Sequence, residues 1–323
     1  MKALANNASK QNNIVSSSGV FGDYLVMLLA PCVVAFWYYG PSVLAVIAVS
    51  IATALGCDFV ASVLLGRNFK LRDLSNIFIG TAIALMMPAG IPLYIPAVAV
   101  SFAVIAVKIP FGGALHAPFV PAAAGFAFAS VCFKEQIFNY TVGSEDKIFG
   151  ANSLASILAR GNSVSLNSAA TAFDILAGNV AGPMGTGCAI LMIACCAYLF
   201  VRRRKALLAT AGFIAACAVF AMISPRINAS VFSSILLELS SGSLLFASVF
   251  LITDYATLPR NNINKVIYGA VCGILCMVMR KMGTFEEPVC FAILLANGFR
   301  PVLDSVVDAL PSVLLKRKEA SVK

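Results

Sequence analysis

The chain has 323 residues, of which 60% are hydrophobic and 11% charged, with a mean hydropathy of +0.92 and a net charge of +9. No water-soluble fold can bury that much apolar surface, so the composition excludes a soluble globular domain. It also argues against a nucleic-acid partner, because the basic residues are scattered over short connections instead of forming one patch.

The start of the chain, Met1 to Gly19, is polar and Ser/Asn-rich. It reads as a disordered cytoplasmic tail, since no short apolar run is followed by a small-residue cleavage site. Beyond it the apolar runs begin. A transmembrane helix needs about 20 mostly apolar residues to cross a hydrocarbon core of about 30 Å. On that measure, spans are expected near 22–39, 42–65, 73–89, 92–109, 118–133, 187–201, 206–224, 231–253, 264–280 and 284–300. The third is short and interrupted by Pro88. Runs such as Ala97 to Val107 are apolar all round, which suits a helix in lipid better than one facing water. The expected fold class is an all-α polytopic membrane protein with about ten transmembrane helices. Its expected parts are a tail at 1–20, a five-helix half at 21–133, a polar loop at 134–186, a second five-helix half at 187–300 and a tail at 301–323.

Lysine and arginine set the expected orientation, because positively charged loops stay in the cytoplasm. With the amino terminus inside, 17 of the 23 fall on inner segments, among them the Arg202-Arg203-Arg204-Lys205 block. The other six are Lys134, Lys147, Arg160, Arg226, Arg280 and Lys281. Both termini are then cytoplasmic and loop 134–186 is extracytoplasmic. Five spans on each side of the loop suggest a duplication, and an odd number per half makes the halves run in opposite senses, as in inverted-repeat transport folds. The third span of each half ends in a Pro-containing turn, Leu85 to Pro92 and Thr253 to Pro259.

Three kinds of residue are candidates for chemistry. Carboxylates in lipid are costly and usually face an interior pathway or a partner, which selects Asp58, Glu238 and Asp254. Of these, Asp254 and Asp58 are the expected ion-path residues. Cys32, Cys57, Cys195, Cys196, Cys217, Cys272, Cys276 and Cys290 lie well within expected spans and the cysteines form no CxxC repeat, so they read as small hydrophobes and no metal or cluster site is expected. His116, the one histidine, lies on an expected inner loop without metal-binding partners.

Three segments carry a family resemblance. The first is Lys108-Ile109-Pro110-Phe111-Gly112-Gly113, continuing to Pro118-Phe119-Val120-Pro121-Ala122. The second is Ser241-Gly242-Ser243-Leu244-Leu245-Phe246, running to Thr253-Asp254. The third is Asn167-Ser168-Ala169-Ala170-Thr171, followed by Gly178-Asn179-Val180 and Gly182. In this order they resemble the family that holds the D subunit of the Rnf ferredoxin:NAD⁺ oxidoreductase and the B subunit of the sodium-translocating NADH:quinone reductase. The resemblance runs from about Phe21 to Arg300.

It implies a membrane subunit of an ion-pumping electron-transfer complex in the cell membrane, with a fold similar to that of urea channels. It also implies an FMN joined through its phosphate to the threonine of an S-G-A-T motif, here Thr171, with Ser168 and Ala170 beside it. Riboflavin is a candidate second, non-covalent flavin. The chain departs from the motif in having Ala169 for its glycine and Ser165 where an aspartate precedes its serine. Ala117 and Val120 replace asparagines of the first signature, which marks a divergent member. Nothing soluble looks catalytic, since there is no phosphate-binding glycine loop, nucleophile elbow or dinucleotide fingerprint. NAD and ferredoxin are therefore expected to react with partner subunits, one further partner carries a second flavin, and the exported ion is Na⁺ or H⁺. Two alternatives stand beside this reading. Ser168 or Thr171 could simply cap a short helix, and the chain could be a cofactor-free transporter or channel.

Overall fold

The computed structural model describes the backbone of residues 2–66, 73–140, 152–159, 169–225, 231–283 and 286–320. Side chains are described for 19–66, 73–140, 152–158, 173–225, 231–283 and 286–305. These residues are helical, with no named strand among them. In chain order the helices are α1 (Lys2–Tyr39), α2 (Ser42–Leu64), α3 (Leu74–Leu85), α4 (Tyr94–Phe102), α5 (Pro121–Cys132), α6 (Lys134–Ile137) and α7 (Leu154–Ala159). They continue with α8 (Ala169–Ala177), α9 (Ala189–Arg202), α10 (Arg204–Ile223), α11 (Val231–Ser240), α12 (Leu244–Phe250), α13 (Asn262–Met282) and α14 (Val289–Ala320). Helix α4 runs on into a π-helical turn, Ala103–Lys108.

Each expected span coincides with one helix or one broken pair. Four segments are long and apolar enough to cross a membrane: Gly19–Tyr39 within α1, then α2, α10 and α13. Helices α11 and α12 make a fifth apolar unit, bent by 62° at the Ser241–Ser243 break. Helices α3, α4 with its π turn, α5 and α9 are apolar but shorter. This is the architecture of a polytopic helical membrane protein. Its outer surface agrees, because large apolar side chains such as Trp37, Leu64 and Ile223 stand exposed, a liability in water but not in lipid. The polar ends differ from expectation: α1 already begins at Lys2, and α14 runs to Ala320. Extending a nucleated helix costs less than starting one, so the polar residues continue the adjacent helix.

The two halves pack alike. In the first, α2 touches α1, α3 and α4, α5 touches α3 and α4, and α1 touches α3. In the second, α10 touches α9, α11, α12 and α13, α14 touches α12 and α13, and α9 touches α12. The halves meet through α5 with α14 and α1 with α9. Small residues permit the closest of these contacts. Along α13, Gly269 and Gly273 are four apart, and α10 lies so near that a Cβ on Gly269 would stand 2.0 Å from the Ala209 carbonyl oxygen. The matching distance for Gly273 is 2.7 Å, to the Phe213 oxygen. Membrane helices pair this way because, without a hydrophobic drive between them, backbone approach supplies the packing energy.

A methyl at Gly269 must therefore push the helices apart. Gly269→Ala is expected to cost about 1–3 kcal/mol or more, seen as a lowered unfolding temperature in detergent. Gly56→Ala, where nothing lies within 4 Å of the added carbon, should leave it unchanged. Equal unfolding temperatures for the two variants would contradict this packing.

Candidate functional site

The middle segment is tied to one end of the bundle. Tyr38 and Tyr39, at the end of α1, donate from their hydroxyls to the carbonyls of Ala177 (3.2 Å) and Gly182 (3.4 Å). The amides of Met184 and Gly185 bond the carbonyls of Met87 (3.0 Å) and Leu85 (2.9 Å), just where α3 stops. Ser153 donates to Glu286 at the start of α14. An apolar cluster of Leu154, Leu158, Ile175 and Val180 closes on Leu237 of α11.

Helix α8 is held by this cluster through Ile175. It opens at Ala169, so Ala170 and Thr171 lie in its first turn, while their side chains, Ser168 and Ser165 fall outside the described residues. Two positions after Thr171, Phe173 is 62% exposed. The cavity behind α8, lined by Ile175, Val180, Ser240 and Gly242 among others, holds about 20 Å³. That is room for a water molecule and far too little for a flavin ring.

The break below α8 joins Glu238 and the Ser241-Gly242-Ser243 segment, both marked in the sequence, to Arg280 and Glu287, which were not. Arg280, 2% exposed, sends Nη1 to the Glu238 carbonyl (2.9 Å) and to Ser241 Oγ (2.8 Å), and Nη2 to the Ser241 carbonyl (2.9 Å). Its charge is met by Glu238 Oε2 at 3.4 Å. From the other side, Glu287 accepts from the Ser243 amide (2.9 Å) and the Ser243 hydroxyl (2.6 Å). Gly242 has φ +64°, and a Cβ there would run into the Glu287 carboxylate. The Ser-Gly-Ser of the second signature is thus the turn between two half-helices, with glycine at the position that no side chain can occupy.

The first signature has a matching cluster. The π turn ends on Lys108, 2% exposed, whose Nζ donates to Asn76 Oδ1 (2.6 Å) and Asp73 Oδ2 (2.7 Å). Asp58 lies 3.7 Å from the same Nζ and accepts from Asn76 Nδ2 at 2.9 Å. Asp58 is therefore brought together with the Lys108 motif and away from Asp254. By charge distribution Lys108 and Arg280 are expected on loops, and the structure corrects that: each is buried and paired inside the bundle. With these two set aside, the remaining imbalance keeps its direction.

Asp254 sits past the last turn of α12 and is 3% exposed. Burial raises its carboxyl to about 6, opposed by the backbone N–H groups of Ala256, Thr257 and Tyr255 and by Arg203. Its Oδ2 has no hydrogen-bond partner. Cys272 and Cys276 are fully buried in the main apolar core, as small hydrophobes are, and His116 is exposed on the turn after Lys108. Among the described residues no three of His, Cys, Asp and Glu gather as a metal set.

A bundle of apolar helices with two half-helices broken at a buried polar turn defines a class, that of polytopic helical membrane proteins. The family follows from comparison with known proteins. The model of the NQR2, RnfD, RnfE family matches residues 7–311, and the chain belongs to that family. It is 26% identical over 307 residues to the D subunit of the Na(+)-translocating ferredoxin:NAD(+) oxidoreductase complex of Acetobacterium woodii, covering 94% of each chain. Two further relatives are each named as the D subunit of an ion-translocating oxidoreductase complex. One, from Shewanella sediminis, is 27% identical over 83% of this chain and 85% of its own, and the other, from Pseudomonas aeruginosa, is 28% identical over 83% of each.

The Arg280–Glu238 pair gives a direct check on the break. Removing one partner of a buried pair leaves an uncompensated charge and costs about 3–5 kcal/mol. Arg280→Met should therefore destabilise strongly, and adding Glu238→Leu should recover part of the loss. A thermal-unfolding cycle in detergent measures the coupling. Purely additive losses would contradict it.

Proposed function

We propose that this chain is the membrane subunit of an ion-translocating electron-transfer complex, that it passes electrons through an FMN esterified to Thr171, and that the complex exports Na⁺ or H⁺. The observation that carries this reading is the place of Thr171 in the first turn of α8, at the bundle end where the break at Ser241–Ser243 also lies. A helix N-terminus presents unpaired N–H groups and the positive end of the dipole, which favour a phosphate ester. When bound, FMN supplies the electron-carrying chemistry, and the protein supplies position and environment. With only about 20 Å³ behind α8, a flavin on Thr171 would have to be held on the open side of the helix, where Phe173 is exposed. NAD and ferredoxin react with other partners.

In this reading the spans number ten, in two inverted five-helix repeats, both termini are cytoplasmic and α8 faces outward. The shared packing of the halves supports it. So do their two clusters, since a cation at the end of the fourth span holds an acid of the third in each half: Lys108 with Asp73, and Arg280 with Glu238. For the ion path, Asp254 is the stronger of the two candidates, because its Oδ2 is buried and unpartnered whereas Asp58 is engaged by Asn76 and Lys108.

Ultraviolet fluorescence of the chain in a denaturing gel, purified from cells that carry a flavin transferase, tests the cofactor. The wild type should fluoresce, Thr171→Ala should be dark, and Ser165→Asp, which restores the aspartate the motif lacks here, should raise the labelled fraction. A dark wild type overturns the covalent FMN and favours a cofactor-free channel. In the assembled complex, Asp254→Asn should keep the fluorescence and lower ion transport. Unchanged transport would remove Asp254 from the path.

A further inference from the structure

At the bundle end opposite α8, a cavity of about 490 Å³ opens between the α9–α10 junction and the start of α13. Its wall is basic: Arg202, Arg203, Arg204 and Lys205 arrive in consecutive positions and Lys265 joins them, with Thr253 and Tyr255 between. Acids do little to neutralise it. Asp23 pairs with Arg202 at 3.0 Å. Asp254 accepts from the backbone N–H groups of Tyr255, Ala256 and Thr257 and, although Arg203 draws its carboxyl down, leaves both its Oδ2 and the Arg203 Nη1 without a hydrogen-bond partner. Lys265 is only 6% exposed, and among the described residues no carboxylate lies within ion-pair distance of it. The Arg203 guanidinium is held over the rings of Tyr24 (5.4 Å) and Tyr255 (5.7 Å), and its Nη1 is buried without an acceptor.

A lysine whose stem is buried and whose ammonium lines the cavity, together with an unmatched guanidinium N–H, makes a site that a bound anion would satisfy. The surroundings say what kind of anion. Phe200 and Val201 on α9 and Ile263 and Val266 on α13 expose apolar faces beside the basic wall. A ligand that satisfies both surfaces has a phosphate and hydrocarbon.

We propose that this cavity seats the phosphate of an anionic phospholipid, held by Lys205, Lys265 and Arg203, with its acyl chains running along α9 and α13. Basic pockets between helices at the cytoplasmic interface are suited to such headgroups. Arg203 and Lys205 of the basic block then do more than orient the chain: they hold lipid at the point where α9 turns into α10 and where the segment bearing Asp254 begins.

The test is native mass spectrometry of the full chain, released from nanodiscs of phosphatidylcholine containing a minor share of phosphatidylglycerol. The wild type should retain phosphatidylglycerol preferentially. Lys205→Gln should weaken that preference about fivefold and Lys205→Gln with Lys265→Gln about 30-fold, while Lys134→Gln, exposed beyond α5, should not change it. Because Lys265 is buried, the single Lys205 variant keeps the test valid if the double variant fails to fold. Equal retention of the two lipids, or an unchanged preference in Lys205→Gln, overturns the proposal. Displacement of the lipid by inorganic phosphate would assign the site to a soluble phosphate instead and overturn the lipid. Loss of bound phosphatidylglycerol when the complex assembles would assign it to an acidic segment of a partner, and would overturn the lipid as well.

Discussion

Backbone that leaves helical geometry among apolar helices has to find its hydrogen-bond partners inside the protein, because lipid offers none. In this chain that constraint is met at Ser241–Ser243. The Arg280 guanidinium reaches the carbonyls of Glu238 and Ser241, and Glu287 takes the amide and hydroxyl of Ser243. Such a guanidinium is itself expensive to bury, and Glu238 at 3.4 Å offsets its charge. Much else rests on this turn. Helix α11 carries Leu237, Leu237 closes the small apolar cluster, and that cluster holds Ile175 and hence the helix that begins beside Thr171.

The first half has a polar cluster of its own, made between side chains. There a π-helical turn, wide by one residue, delivers Lys108 to Asn76, Asp73 and Asp58. Mid-helix departures of this kind often mark functional positions. Two clusters of the same make-up, each with a cation at the end of a fourth span, give the proposed inverted halves a chemical as well as a geometric likeness.

The helices were legible because hydropathy acts locally. A run of apolar residues predicts its own state, and each of the ten expected segments contains helix. Family membership was legible too, through short motifs whose order survives divergence. What stayed hidden depends on which helices are neighbours. Arg280 and Glu238 are 42 residues apart, and nothing around either says that they meet, so Arg280 read as a loop charge. Lys108 read the same way, although its place at the head of a motif was a signal that it does more than set topology. The third span was expected to run through 89 with an interruption at Pro88; α3 stops at Leu85, since Pro88 has no N–H to continue the ladder. Which amides take the freed carbonyls of Leu85 and Met87, those of Gly185 and Met184, left no local mark. The motif threonine was found by pattern alone. Its placement in the first turn of α8, and the lack of room behind that helix, came from the fold.

The central claim is that Thr171 and the basic block at Arg202–Lys205 face opposite sides of the membrane. A chain whose ten cysteines are replaced by serine or alanine, carrying either Phe173→Cys or Lys205→Cys, can be treated in intact cells with a membrane-impermeant thiol reagent. Labelling of the cysteine at 173 from outside, and of the cysteine at 205 only after the cells are opened, is the predicted result. Labelling of both from the same side would contradict the claim.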